Sequence, residues 1–235
     1  MKGKGLIVLL PTYNEAENIE FCLQRLYATF PECSVLVIDD GSKDGTREIV
    51  KNKQKQYSTL QILERAQKEG LGKAYISGMK WALQKDFEYI LQMDADLSHR
   101  PEDLPKFFEV APFDGVIGSR YVPGGKIENW SYVRRQISKC GNLYANFFLK
   151  TPYHDLTGGF NLWTRNTLLS LPLDEVKSEG YGFQIEMKYR AFLLGKKLKE
   201  VPITFFEREN GHSKMSSRIV IEAMRRVPGF RKLSR

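Results

Sequence analysis

The sequence predicts an α/β fold, a single domain built on a mostly parallel sheet flanked by helices. Three observations carry that expectation. Short apolar runs alternate with longer amphipathic segments through the first two thirds of the chain. The runs are rich in Val, Ile and Leu, as in strands buried on both faces. Acidic, glycine-containing loops follow several of the runs, and parallel sheets bind ligands beyond the carboxyl ends of their strands.

Taken in order, LIVLL (6–10) reads as a buried first strand. A helix follows, with its N-cap near Asn14, and Ile19, Cys22, Leu23, Leu26 and Tyr27 fall on one stripe at three- and four-residue spacing. SVLVID (34–39) is a second strand and Asp44 to Tyr57 a second helix. LQIL (60–63) is a third strand and Leu71 to Gln84 a third helix. YILQM (89–93) and FDGVIGS (113–119) are the next strands. Beyond them, helices are expected over Val133 to Leu149 and Gln184 to Leu194, and a strand over KEVPITFF (199–206). Residues 1–210 form the expected catalytic unit; 211–235, a basic loop and amphipathic helix, belong to the same domain.

Composition narrows the functional classes. At 42% hydrophobic and 27% charged residues, the chain can bury a core. No apolar run approaches the ~20 residues needed to cross a bilayer. LIVLL is shorter than the ~7 residues of a secretory signal core, and no small-residue cleavage site follows it. The 3 cysteines, with no CxxC, argue against a disulfide framework or zinc site and fit a reducing cytosol. The net charge of +8 suits phosphate-bearing partners, and equally a merely soluble basic surface.

Three loops carry candidate chemistry. PTYNE (11–15) sits where strand one meets a helix, which suits either anion binding or simple capping. Tyr13 is placed to stack on a base and Glu15 to accept from a base or sugar, yet neither GxGxxG nor GxxxxGK[ST] is present. DDGSKDGT (39–46) reads as an Asx turn with Asp44 capping the next helix, or with Asp40 as a nucleoside contact. MDADLSHRP (93–101) sets Asp94 and Asp96 one residue apart, as a turn before Pro101 or as hard oxygen ligands for Mg2+ or Mn2+ on a diphosphate.

Together the three loops resemble GT-A-type glycosyltransferases, whose Rossmann-like sheet presents a DxD to a metal and diphosphate. The further motifs EGLGKAY (69–75), GSRY (118–121), WSYVRRQISKCGN (130–142), DLTGGF (155–160), GYGFQIEM (180–187), EVPITF (200–205) and ERENGHSKM (207–215) follow in the order seen in dolichol-phosphate (polyprenyl-phosphate) mannose synthases, across essentially the whole chain. The resemblance implies transfer of mannose from GDP-mannose to polyprenyl or dolichyl phosphate with inversion. It assigns the guanosine to Pro11, Tyr13, Glu15, Ile38 and Asp40, and the sugar diphosphate with Mg2+ or Mn2+ to Asp94, Ala95 and Asp96. Ser98 is a shorter metal contact than the Gln some relatives carry there. Arg120, Arg134, Arg208 and Lys214 would neutralise the phosphoryl groups, with Arg120, Arg208 and Lys214 also touching the nucleotide sugar. Asp155 and Gln184 line the site in matched motifs, without assigned roles. His99 is expected in the turn rather than in catalysis.

In the tail, Ile219, Val220, Ala223, Met224 and Val227 share one helical face and Arg218, Glu222 and Arg225 another, so the helix either lies in a membrane interface or packs on the domain. The expected location is cytoplasmic, peripheral on a membrane or held there by a membrane subunit. The alternatives are a glucose or other sugar donor with the same acceptor, and a non-catalytic basic module for phosphate or nucleic acid. No recognised nucleic-acid motif is present.

Overall fold

The structure, a computed structural model, describes residues 5–207 and 217–233, the side chains of 217–220 excepted. Its centre is a seven-stranded sheet. Strands β1 (Leu6–Thr12), β2 (Ser34–Asp39), β3 (Leu60–Glu64) and β4 (Tyr89–Gln92) run parallel. With β5 (Gly115–Ser119), β7 (Asn161–Thr164) and β8 (Leu198–Pro202) the order is β3-β2-β1-β4-β7-β5-β8. β1 shows why both faces are covered. Ile7 and Leu9 point into the core beneath α3 (Leu71–Leu83), while Leu6, Val8 and Leu10 point into the core beneath α1 (Ile19–Thr29). All five are fully buried.

The sequence anticipates β1 to β5 and β8, and the five-residue stripe of α1, all of which is buried. Several boundaries move. α1 begins at Ile19 with Asn18 at its N-cap, because Asn14 takes a left-handed φ of 53° and bonds the neighbouring loop instead. α2 is confined to Thr46–Lys53, α5 spans Tyr132–Leu149, and α7 starts early, at Gly180–Leu193. KEVPITFF divides at Ile203: β8 closes the main sheet and β9 (Thr204–Phe206) pairs with β6 (Lys126–Glu128). α4 (Pro105–Glu109) and α6 (Arg165–Ser170) are short additions.

The largest departure is β7, which is antiparallel to both β4 and β5 and separates them. α8 (Ser217–Phe230) packs against α5 and α7. Its Ala223 and Val227 are buried there, so part of the face nominated for a membrane is turned inward. Met224 stays 46% exposed; the side chains of Arg218, Ile219 and Val220 lie outside the described residues.

Candidate active site

Two loops build one wall of the site by bonding to each other. Asn14 N–H donates to Ser42 Oγ (2.9 Å), and Lys43 N–H donates to Asn14 Oδ1 (2.9 Å). Glu15 N–H donates to Thr46 Oγ1 (3.0 Å) and Ala16 N–H to Asp44 Oδ2 (2.9 Å). Asp44 also accepts from Thr46 N–H (3.1 Å), which ties the wall to the start of α2. Beneath it Asp39 is fully buried. Burial alone would raise its carboxyl, but Ser42, Arg47 and Thr12 donate to it and hold its pKa below the usual value.

The DADLSH turn follows β4. Leu97 adopts a positive φ of 64°, uncommon for a leucine, and this turns the chain back on Asp96. Asp96 Oδ1 accepts from Ser98 N–H (3.1 Å) and Ser98 Oγ (2.6 Å). Tyr75 donates its hydroxyl to Asp94 Oδ1 (3.1 Å). His99 Nδ1 accepts from Asp94 N–H (3.1 Å), so a neutral ring carries its proton on Nε2. Burial lowers the His99 pKa and keeps the ring neutral, so its 3.8 Å approach to Asp94 Oδ2 is not an ion pair.

The basic side is anchored from below. Arg120, 6% exposed, donates through Nε and Nη2 to the two oxygens of Asp155 (2.7 Å each), and Nη2 also reaches Thr157 Oγ1 (2.8 Å). Burial alone would raise the Asp155 carboxyl, but Arg120 and then Lys188 hold it down at about 2. Lys188 is itself fully buried and donates to the carbonyls of Asp155 (3.0 Å), Leu156 (3.1 Å) and Gly158 (2.7 Å). Burial draws its ammonium down to about 7, against the pull of Asp155. One buried cation thus grips the backbone of the DLTGGF loop while the loop's carboxylate grips another. Gly125 packs directly on this centre: a Cβ there would lie 2.7 Å from the Arg120 carbonyl carbon. Arg134 stacks on Trp130 (4.1 Å to the ring centroid) and donates to Glu207 Oε1 (2.6 Å).

These walls enclose a cleft of about 360 Å³ at the carboxyl ends of β1, β2, β4 and β5. Pro11, Tyr13, Glu15, Asp40, Asp94, Ala95, Asp96, Ser98, Arg120 and Arg134 all border it. Ile38 does not; it is fully buried beneath α3, where a Cβ on Gly78 would meet its Cδ1 at 2.7 Å. Asp40 enters the cleft already bonded to Arg65 and to Glu69 N–H (3.2 Å). Arg208 and Lys214 lie outside the described residues. The sequence reading missed Lys68, which lies over the Tyr13 ring at 4.0 Å, and the cleft residues Trp130, Gly159 and Tyr181. Each sits in or beside a motif already singled out, which was the available signal.

A nucleotide-sized cleft at strand carboxyl ends, bordered by an Asp-X-Asp turn and by the buried Arg120 and half-buried Arg134, defines the class: a GT-A-type glycosyltransferase. The chain belongs to glycosyl transferase family 2, whose family model matches residues 7–169. It is 46% identical to an undecaprenyl-phosphate mannosyltransferase of Micrococcus luteus, over 93% of this chain and 90% of that protein. It is 42% identical to a polyprenol monophosphomannose synthase of Mycolicibacterium smegmatis, over 94% of this chain and 84% of that protein. Among solved structures, a Mycobacterium tuberculosis glucosyl-3-phosphoglycerate synthase with Mn2+, uridine diphosphate and phosphoglyceric acid shares the fold (TM-score 0.70, 17% identity, 97% of this chain and 77% of that one). So does a Pyrobaculum calidifontis mannosyltransferase in complex with GDP-Man and Mn2+ (TM-score 0.60, 19% identity, 90% of this chain and 59% of that one).

Proposed function

We propose that this chain transfers mannose from GDP-mannose to the phosphate of a polyprenyl lipid, with inversion at the anomeric carbon. The observation that carries the reading is the junction of two unlike spaces. The cleft bordered by charged side chains meets an apolar groove between α5, α7 and α8, walled by Ile137, Tyr144, Ile185 and Val227. Trp130, Arg134, Thr157 and Tyr181 border both. A nucleotide sugar suits the first space and a prenyl chain the second, so a lipid phosphate would meet the sugar at Arg134. The names of the two bacterial relatives support the same donor sugar and acceptor class.

In this reading Pro11, Tyr13, Glu15 and Asp40 hold the guanosine, with Lys68 beside Tyr13, while Ile38 supports that wall from beneath. Asp94 and Asp96, with the Ala95 backbone, face the diphosphate. Their donor set fits Mg2+ or Mn2+: two hard carboxylates, with no group of three or more His, Cys, Asp and Glu able to form a cage among the described residues. Such ions commonly take one or two protein carboxylates and complete their shell with phosphate oxygens and water. When bound, the ion supplies charge stabilisation to the departing GDP. Ser98 keeps oxygen lone pairs for that ion while its hydroxyl proton goes to Asp96. Arg120, Arg134, Arg208 and Lys214 bind phosphoryl oxygens, Arg120 through the guanidinium edge that Asp155 leaves open. The acceptor phosphate is ionised near neutral pH and attacks without a general base, which accords with a neutral, backbone-bonded His99.

The test is transfer of radiolabel from GDP-mannose and UDP-glucose to polyprenyl phosphate with divalent metal. Labelled lipid from GDP-mannose is expected; product from UDP-glucose with none from GDP-mannose overturns the donor.

Among the described residues no helix is long and apolar enough to cross a membrane. We place the enzyme peripherally, on the cytoplasmic face, with α8 on the acceptor side. Val133, Ile137, Cys140 and Phe147 recur at helical spacing on α5, and with Tyr132 and Leu143 they form an exposed apolar face. Phe147 is 76% and Leu143 62% exposed. Replacing both by Asp is expected to lower co-flotation with phosphatidylglycerol-containing vesicles by about tenfold or more, with unchanged thermal stability. Undiminished flotation would remove this face from the membrane contact.

A further inference from the structure

Gln184, the fifth residue of α7, is 3% exposed and borders the cleft. Its amide orientation follows from its neighbours. The Gly158 carbonyl can only accept, and Asn161 Nδ2 donates to it (3.1 Å), which fixes the Asn161 amide. The same Nδ2 donates to Gln184 Oε1 (3.0 Å), because a Gln184 amide turned the other way would oppose donor to donor. Gln184 Nε2 is therefore the end presented elsewhere. Among the described residues it is a buried donor with no hydrogen-bond partner. Buried donors are almost always satisfied, so an orphan bordering a cleft points to an acceptor that arrives with the ligand.

The surroundings identify that acceptor. A Cβ built on Gly159 would lie 3.4 Å from Gln184 Nε2, 3.6 Å from Asp94 Oδ2 and 3.6 Å from His99 Cε1. The bare backbone of Gly159 thus leaves open a space with a neutral amide donor on one side and a carboxylate acceptor on the other. A phosphoryl group carries acceptors alone and could face Asp94 only across a bridging cation, so it cannot bond directly to both sides of this space. A sugar hydroxyl both accepts and donates, and vicinal hydroxyls can satisfy both sides at once. Resting on the donor reading above, we infer that Gln184 binds a ring hydroxyl of the transferred hexose, and that Asn161 orients it for this contact. Gln184 then sets donor-sugar selectivity, and Gly159 leaves room for the ring.

The discriminating experiment is titration calorimetry of GDP-mannose and of GDP, each with Mn2+, on the wild type, Gln184→Leu and Gly159→Ala. Gly159→Ala places a methyl at ordinary contact distance with no positive φ, so it keeps the fold. Both variants are expected to weaken GDP-mannose about tenfold and to change GDP less than twofold. Deoxy-mannose donors supply a second readout. Removing one particular hydroxyl should weaken wild-type binding about tenfold and leave Gln184→Leu unaffected. Equal loss of GDP and GDP-mannose would move Gln184 to the diphosphate or to a purely structural role. No loss of either would remove it from the site. If the wild type binds UDP-glucose and not GDP-mannose, the donor reading fails, and the UDP-glucose and UDP pair then decides Gln184 in the same way.

Discussion

Asp96→Asn is expected to lower mannosyl transfer by about 10³-fold with little change in stability. The side chain is 4% exposed, and its Oδ1 accepts from both Ser98 N–H and Ser98 Oγ. An asparagine oxygen can keep both bonds, so the turn holds its shape. What goes is the negative charge that the proposed mechanism sets opposite a metal-bound diphosphate. Losing one preorganised electrostatic partner of developing charge typically costs 10²–10³ in rate, and weakened metal binding adds to that. EDTA should silence the wild type to a similar level and do nothing further to Asp96→Asn. The measurement is kcat at saturating GDP-mannose with Mn2+, alongside a thermal melt. A variant within tenfold of wild type, or wild-type activity in EDTA, would sink the role given to this carboxylate.

Asp155→Asn is expected to lose about 3–5 kcal/mol of stability at pH 7, the usual cost of leaving a buried charge unpaired. In a chain of this size that lowers Tm by roughly 10 °C. Arg120 and Asp155 form a forked pair at 4% and 0% side-chain exposure, so solvent cannot replace the lost partner. The pair also has a pH signature. The folded Asp155 pKa, at about 2, lies below the ordinary 3.8. A depressed carboxylate contributes stability that is present above pH ~4 and lost as pH falls through the folded value. Its contribution is about 2 kcal/mol, at 1.36 kcal/mol per unit. Urea unfolding at pH 7 and pH 3 should show the wild type losing part of that amount. Asp155→Asn should lose less over the same range. Equal acid sensitivity in the two proteins would assign the effect to other carboxylates.

Much of the cleft was legible in the sequence because its parts are loops with strong local chemistry. PTYNE, DDGSKDGT and DADLSH follow apolar runs, and an acidic or glycine-bearing loop after a strand needs little tertiary context to be noticed. The missing parts depend on tertiary context. Glu186, Lys188 and Arg190 give α7 the look of a solvated helix, yet all three are buried: Glu186 accepts from Ser178 and from Arg190 of the same helix, Lys188 donates to the Asp155 carbonyl, and Arg190 also reaches Glu175. Nothing in the local pattern of FQIEMKYR separates that arrangement from a solvated face. Asp155 looked like a site residue, and the structure makes it the support of one. β7 has only four residues between a glycine pair and a polar helix start, too short for periodicity to register. The exposed face of α5 was hidden by the basic residues interleaved with it, among them Arg134, Arg135 and Lys139.

That short strand has a consequence for how the protein is made. β4 and β5 are neighbours in the chain but not in the sheet; β7, emerging about forty residues after β5, pairs with both. A nascent chain halted after β5 therefore holds strands on either side of a gap, without the hydrogen-bonded piece that joins them. Synthesis must pass Thr164 before the sheet can close, and α7 must follow before Lys188 can grip the DLTGGF loop. Assembly is late and dominated by sequence-distant pairing, a pattern associated with slow folding. Amino-terminal fragments ending before this point should carry the DxD turn and yet have no finished site around it.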